Sequence, residues 1–211
     1  NLPASTTNPT IDFGFVKPTS YTLTKVSMET QAVRVGDPVQ FKITIQNTGQ
    51  TYISVLPLVD TFDPTYLQCV SASVAPDSTA PRGTLTWNDL TGAGMLAPDS
   101  FFDVFVNFIT LADTTGILPD GETINTATVL KDNTRVDPDG PGGVPEAVPP
   151  TTNLTSSDGV QAIQPTGLAL ASATATATAD GVQVAWETAD ETAILGFNVL
   201  GTGAFVIIIA F

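Results

Sequence analysis

Hydrophobic and polar positions alternate along most of this chain. Val39, Phe41, Ile43 and Ile45 fall on one side of an extended run, and Gln40, Lys42, Thr44 and Gln46 on the other. That period of two is the mark of a half-buried strand. The run stops at Asn47-Thr48-Gly49-Gln50, where Asn and Gly allow the backbone of a tight turn. Strand signals recur from Tyr21 onward, at 53–59, 67–74, 84–87, 101–110 and 123–130. In 101–110, Phe102, Val104, Val106 and Phe108 fill one face while Phe101, Phe105 and Ile109 crowd the other, which predicts a central strand or one covered on both sides. Residues 132–153 are acidic and rich in Pro and Gly and read as a break, with 160–163 returning as an edge strand. Strict Ala/Thr alternation over 168–178 argues strand over helix. Val182, Val184 and Trp186 form the next strand after Asp180-Gly181, 187–195 reads as a loop or one helical turn, and 196–200 resumes β.

The two ends carry the most apolar patterns. Ile11, Phe13 and Phe15 alternate with Asp12 and Gly14 after a polar tail, and Lys17-Pro18 cuts them off from the next strand. Residues 204–211 (AFVIIIAF) hold no charge, so Phe205, Val206, Ile207, Ile208, Ile209 and Phe211 need burial to avoid aggregation. Many short strands with Gly, Pro and Asp turns predict an all-β chain: an antiparallel Ig-like β-sandwich with an N-terminal orphan strand and a smaller, incomplete C-terminal sheet. The expected divisions are 1–20, an extension with a candidate donor strand; 21–165, the sandwich; and 166–211, a β-rich segment completed by a neighbouring chain.

Composition sharpens this picture. The chain has 211 residues, 33 of them threonine and 11 serine, and β-branched Thr suits a pleated, half-exposed surface. Acidic residues outnumber basic ones 21 to 7, for a net charge of −14, which disfavours phosphate backbones and anionic headgroups as partners. Histidine is absent, and with it the commonest general base and zinc ligand. The single Cys69 has no partner for an internal disulfide and reads as a small buried hydrophobe. The chain opens at Asn1 without a methionine or a charged-then-apolar leader, which suggests either a removed signal segment or a fragment, and no apolar run reaches the ~20 residues a helical span needs. The expectation is a secreted, extracellular or cell-surface protein without membrane insertion, and not an enzyme.

An ordered set of motifs resembles a known module: Val35-Gly36-Asp37-Pro38-Val39-Gln40-Phe41, Ile43-Thr44-Ile45-Gln46-Asn47-Thr48-Gly49, Val59-Asp60, Thr86-Trp87 and Ile124-Asn125-Thr126-Ala127-Thr128-Val129. Together they resemble the Ig-like conserved repeat, of unknown function, of prokaryotic secreted and cell-surface proteins. That resemblance implies a stalk or spacer module. Thr10-Ile11-Asp12-Phe13-Gly14-Phe15 is similar to the final strand of the B-type module of serine-aspartate-repeat surface proteins. Residues 181–188, with Glu191 and Gly196-Phe197-Asn198-Val199, resemble the opening half of fibronectin-type sandwiches.

An orphan apolar strand and an incomplete sheet suggest strand addition between copies. Ile11, Phe13 and Phe15 would fill a neighbour's groove, in the C-terminal sheet or at an edge of the sandwich, and head-to-tail donation propagates into a filament. Residues 204–211 would be the groove's central strand or a second donor. The opposing reading folds both ends back onto their own sandwich. The partners expected are copies of the same chain, with no nucleic acid. The alternative is an adhesin-type module holding a glycan or protein through the loops 75–82 or 132–150.

Candidate chemistry is sparse. Asp132, Asp137 and Asp139 present oxygens suited to a structural Ca²⁺, although their spacing is no EF-hand and an acidic solvated turn is the commoner meaning. No other cofactor is expected. Asp60 and Asp63 read as turn-capping residues, and Trp87 and Trp186 as core. Lys25 or Lys42 with Asn125 has the chemistry of a side-chain isopeptide bond, as in some pilin sandwiches, against the commoner arrangement of a surface lysine and a turn-satisfying asparagine. Asn153-Leu154-Thr155 is a sequon in an exposed loop, so Asn153 is a glycosylation candidate.

Overall fold

The computed structural model describes residues 17–92, 94–137, 140–141, 152–164, 169–179, 181–190, 197–202 and 205–210. Its strands begin β1 (Tyr21–Ser27), β2 (Val33–Arg34), β3 (Pro38–Asn47), β4 (Tyr52–Val55), β5 (Leu58–Phe62), β6 (Leu67–Ala72), β7 (Thr84–Trp87) and β8 (Phe101–Thr110). They continue with β9 (Thr123–Val129), β10 (Arg135–Asp137), β11 (Leu154–Val160), β12 (Ala162–Ile163), β13 (Ala169–Thr178), β14 (Gly181–Asp190), β15 (Phe197–Thr202) and β16 (Phe205–Ala210). The only helical element among the described residues is a single 3₁₀ turn at Pro119–Gly121.

Two antiparallel four-stranded sheets build the sandwich, in the orders β1-β3-β8-β6 and β11-β9-β5-β7. Each strand turns its alternate apolar residues inward. Val39, Phe41, Ile43 and Ile45 of β3 meet Val104, Val106 and Phe108 of β8, all buried, and the opposite sheet supplies Leu58, Leu85, Trp87, Ala127 and Val129. The Phe108 ring stands edge-on to Phe41 at 5.8 Å and to Phe62 at 4.8 Å between centroids, a favoured aromatic geometry. Trp87 is buried and its indole N–H donates to the Val74 carbonyl at 2.9 Å. β8 lies inside its sheet as expected, yet Phe101 at one end is 63% exposed.

Turns fix the register. Asn47 is buried and its amide donates to the carbonyls of Thr51 (2.8 Å) and Leu96 (3.0 Å), tying the β3–β4 turn to a distant loop. A side chain at Gly49 would come within 2.5 Å of the Ser20 backbone nitrogen, so the turn requires glycine there. At the β1 side the two sheets are closed against each other. The Lys25 N–H donates to the Ser156 hydroxyl at 2.9 Å and the Ser27 N–H to the Asp158 carboxylate at 2.6 Å. Side chains of β11 thus occupy the donors that an edge strand would otherwise leave open.

Several expectations change. The run 53–59 is two strands broken at Leu56-Pro57: β4 pairs with β10, and β5 with β7 and β9. β11 was expected only as a short edge at 160–163, after a break that ends at residue 153, with 154–159 assigned to no strand. It instead runs Leu154–Val160, and its polar sequence reflects an edge strand whose side chains serve β1. β14 continues through Glu187 to Asp190, where a loop or helical turn was expected. The described strands of the sandwich run from Tyr21 to Ile163. Beyond them β13 pairs with β14, and β15 with β16, as two separate hairpins. Trp186 is 36% exposed on β14 and not a core residue. Ile11, Phe13, Phe15, Asp139 and Phe211 lie outside the described residues.

Candidate functional site

Three polar residues point into the buried interior of the sandwich. Lys25 follows Tyr21 and Leu23 on the inward face of β1, Asp60 lies between Leu58 and Phe62 on β5, and Asn125 lies between Thr123 and Ala127 on β9. All three are buried. The Lys25 ammonium forms a close ion pair with Asp60 Oδ1. Asn125 Nδ2 donates to Asp60 Oδ2 at 3.2 Å. One carboxylate therefore bridges a cation from one sheet and a carboxamide from the other. Lys25 Nζ also lies 5.1 Å from the centroid of Phe41, which floors the site from β3.

This cluster corrects the sequence reading at three positions. Lys25 is not a surface lysine, Asn125 does not satisfy a turn, and Asp60 caps nothing. Asp63 does behave as expected, its Oδ1 accepting the Thr65 N–H at 2.8 Å. Lys42 is the surface member of the lysine pair, 3.0 Å from Asp103. The clue in the sequence was phase: Lys25 and Asp60 occupy inward positions of alternating strands, where an apolar residue is the rule.

Burial dominates the electrostatics. It pushes the Asp60 carboxyl above its ordinary range, against the opposing pull of Lys25 and of the Asn125 N–H. It likewise pushes Lys25 below the usual lysine range, against Asp60 and, more distantly, Asp158. Both shifts favour the uncharged forms, because a low-dielectric interior penalises charge. Asn125 Oδ1 is buried with no hydrogen-bond partner, a costly state for a carbonyl.

A second feature lies at the opposite edge of the sandwich. A groove of about 410 Å³ runs along β6 and β7, lined by Phe62, Leu67, Val70, Ala72, Pro76 and Leu85 among others. Val70 is 62% exposed there. Among the described residues no strand pairs with β6 on the side away from β8. Cys69 also lines this groove and is half-buried, less enclosed than expected. Burial, and then the Asp60 charge, push its thiol pKa up, so it is a poor nucleophile.

The remaining candidates are dispersed. Asp132 is 83% exposed on a turn, 3.9 Å from Lys131. Asp137 is buried on β10, where its Oδ1 accepts the Gly140 N–H at 3.0 Å. Among the described residues no group of three or more Asp, Glu or Cys is placed to hold a metal ion. Asn153 is exposed, and its Oδ1 accepts the Lys131 N–H at 3.0 Å. Phe205, Val206, Ile207, Ile208 and Ile209 lie in β16, which pairs with β15. No helix among the described residues is long and apolar enough to cross a membrane.

No protein-family model and no curated protein sequence matches the chain, so the repeat resemblance rests on its motifs. Solved structures do match. The CARDB domain of a Pyrococcus furiosus protein, in complex with di-metal ions, is 15% identical with a TM-score of 0.39, over 69% of this chain and 89% of that one. A cohesin module from a Clostridium perfringens family 33 glycoside hydrolase is 13% identical with a TM-score of 0.43, over 69% and 99%. The major pilin subunit of Bacillus cereus is 13% identical with a TM-score of 0.43, over 90% of this chain and 56% of that one. At such identities and scores these likenesses carry nothing about what this chain binds or builds.

Proposed function

We propose that the chain is a structural subunit of an extracellular or cell-surface filament or stalk, assembled head-to-tail by strand addition between copies. The observation that carries this reading is the asymmetry of the two sandwich edges. The β1–β11 side is sealed by Ser156 and Asp158, whereas on the other side the outer edge of β6 has no pairing strand among the described residues and lies beside an apolar groove. An added strand satisfies the free backbone groups of such an edge while its alternate side chains fill the groove. Ile11, Phe13 and Phe15 have the required period, and the donor comes from the next copy. The acidic, threonine-rich surface and the absence of histidine suit a scaffold better than a catalyst.

Electron microscopy of natively isolated material tests this, together with two variants. Removing residues 1–16 should abolish fibres while leaving a folded monomer. Val70→Lys should do the same, placing a charge in the groove at an exposed position where the folding cost is within about 0.5 kcal/mol. Fibres that persist in both variants would refute the reading. The groove also favours one second reading, an adhesin-type module that holds a glycan or protein beside the 75–82 loop, through which Pro76 and Thr79 line it. That module would be monomeric and stabilised by its ligand.

A further inference from the structure

A buried lysine is expensive even when paired, and an apolar residue of similar volume commonly serves stability as well or better. Its presence in the core therefore asks for a chemical reason, and its neighbours supply one. We propose that Lys25 and Asn125 become joined by a side-chain amide bond, formed within the folded chain with Asp60 as proton carrier and with loss of one ammonia.

The geometry assembles every component. Lys25 Nζ is the nucleophile, the Asn125 carboxamide is the acyl donor, and Asp60 touches both, one through each oxygen. The unpartnered Asn125 Oδ1 is the atom that must be polarised. Rotating the carboxamide by half a turn brings this oxygen to Asp60, where the acid form donates a hydrogen bond to it. Burial favours the free amine and the neutral acid together, the pair of protonation states that the step needs.

The atoms balance without any co-reactant. Lys25 passes one proton to Asp60 and attacks Cγ of Asn125 as the free amine, while the Asp60 proton stabilises the developing charge on Oδ1. The tetrahedral centre collapses with Nζ–Cγ formed and Cγ–Nδ2 broken. One amine proton reaches Nδ2 through Asp60, and the nitrogen leaves as ammonia. Asp60 ends as a neutral acid beside a neutral amide. A buried ion pair has been replaced by uncharged groups, which removes the desolvation cost that the unreacted core carries. Folding supplies the encounter, since fixed reacting groups replace a bimolecular collision. Lys42 has no such setting, being partly exposed and paired with Asp103.

β1 and β9 belong to opposite sheets, so the bond staples one sheet to the other. The inference is independent of filament formation, because a monomeric module provides the same three residues. It is tested on the folded full-length chain, with near-ultraviolet circular dichroism confirming the fold and intact mass measured after denaturation. The expected mass is lighter than the sequence by one ammonia. Trypsin should then release the peptide ending at Arg34 covalently joined to peptide 83–131, through Lys25 and Asn125. Lys25→Met and Asp60→Asn should each restore the mass of their own sequence. An unshifted mass in the folded protein would overturn the proposal. So would an ammonia loss that survives Lys25→Met, which means cyclisation at an asparagine, or a water loss that joins Lys25 to Asp60.

Discussion

Replacing Lys25 by methionine removes the amine and leaves an unbranched apolar side chain over Phe41. Its main consequence falls on the unfolded chain. The bond between residues 25 and 125 closes a ring of about 100 residues, and the chain-entropy relation assigns such a ring about 4.7 kcal/mol at 25 °C. Asp60 keeps the Asn125 N–H in the variant and can take up a proton, so its own contribution to the difference is small. The expected loss is therefore about 4–5 kcal/mol, or roughly 10–15 °C in Tm for a chain of this size. Guanidinium denaturation of both proteins checks this. It carries a second signature, because a cross-linked unfolded state exposes less surface: the m-value should be lower in the parent and rise in Lys25→Met. Equal midpoints and equal m-values would refute the reasoning, since exchanging the lysine side chain for a thioether without a covalent bond alters the unfolded state little.

Asp60→Asn should block ammonia loss and leave the Lys25 ammonium without its countercharge, costing about 3–5 kcal/mol by the same denaturation assay on top of the loss that Lys25→Met shows for the missing bond. In Lys25→Met, burial holds the Asp60 pKa above the ordinary 3.8, so the folded form keeps a proton that the unfolded form has released. Stability from this group is full below the ordinary value and is lost as pH rises through the native one. The double variant Lys25→Met/Asp60→Leu should remove that slope. Asp158 on β11 and Cys69 on β6 are the other titrating groups that couple to the pair, and both remain in the double variant. Asp158→Ala should cost about 1–2 kcal/mol by leaving the Ser27 N–H unpaired, with faster amide exchange at Ser27 as the local readout.

The sandwich was legible because alternation is a direct consequence of strand geometry. β3, β7, β8 and β9 bury the faces that their patterns announce. β11 was hidden because an edge strand that gives Ser156 and Asp158 to its neighbour has no apolar period to display. The break between β4 and β5 lies at Leu56-Pro57, where the proline was the cue and the apolar residues on both sides of it masked it. The site was half-visible. Lys25 and Asn125 were paired as a chemical possibility, but base composition favours exposed lysines, and only the packing of opposite sheets brings Asp60 between them. That meeting joins strands distant in sequence, which periodicity within any one strand does not encode. The groove depends likewise on which edge the topology leaves unpaired.

The two parts of the account act on different scales. A covalent staple between sheets resists shear within one module, and strand addition at β6 would transmit load between modules. Electron cryo-microscopy of the assembled fibre tests the assembly claim most directly. The account predicts residues 11–15 of one copy hydrogen-bonded along β6 of the next, with Ile11, Phe13 and Phe15 in the groove beside Val70. Single particles that never associate, or fibres whose β6 edges stay empty, would contradict it.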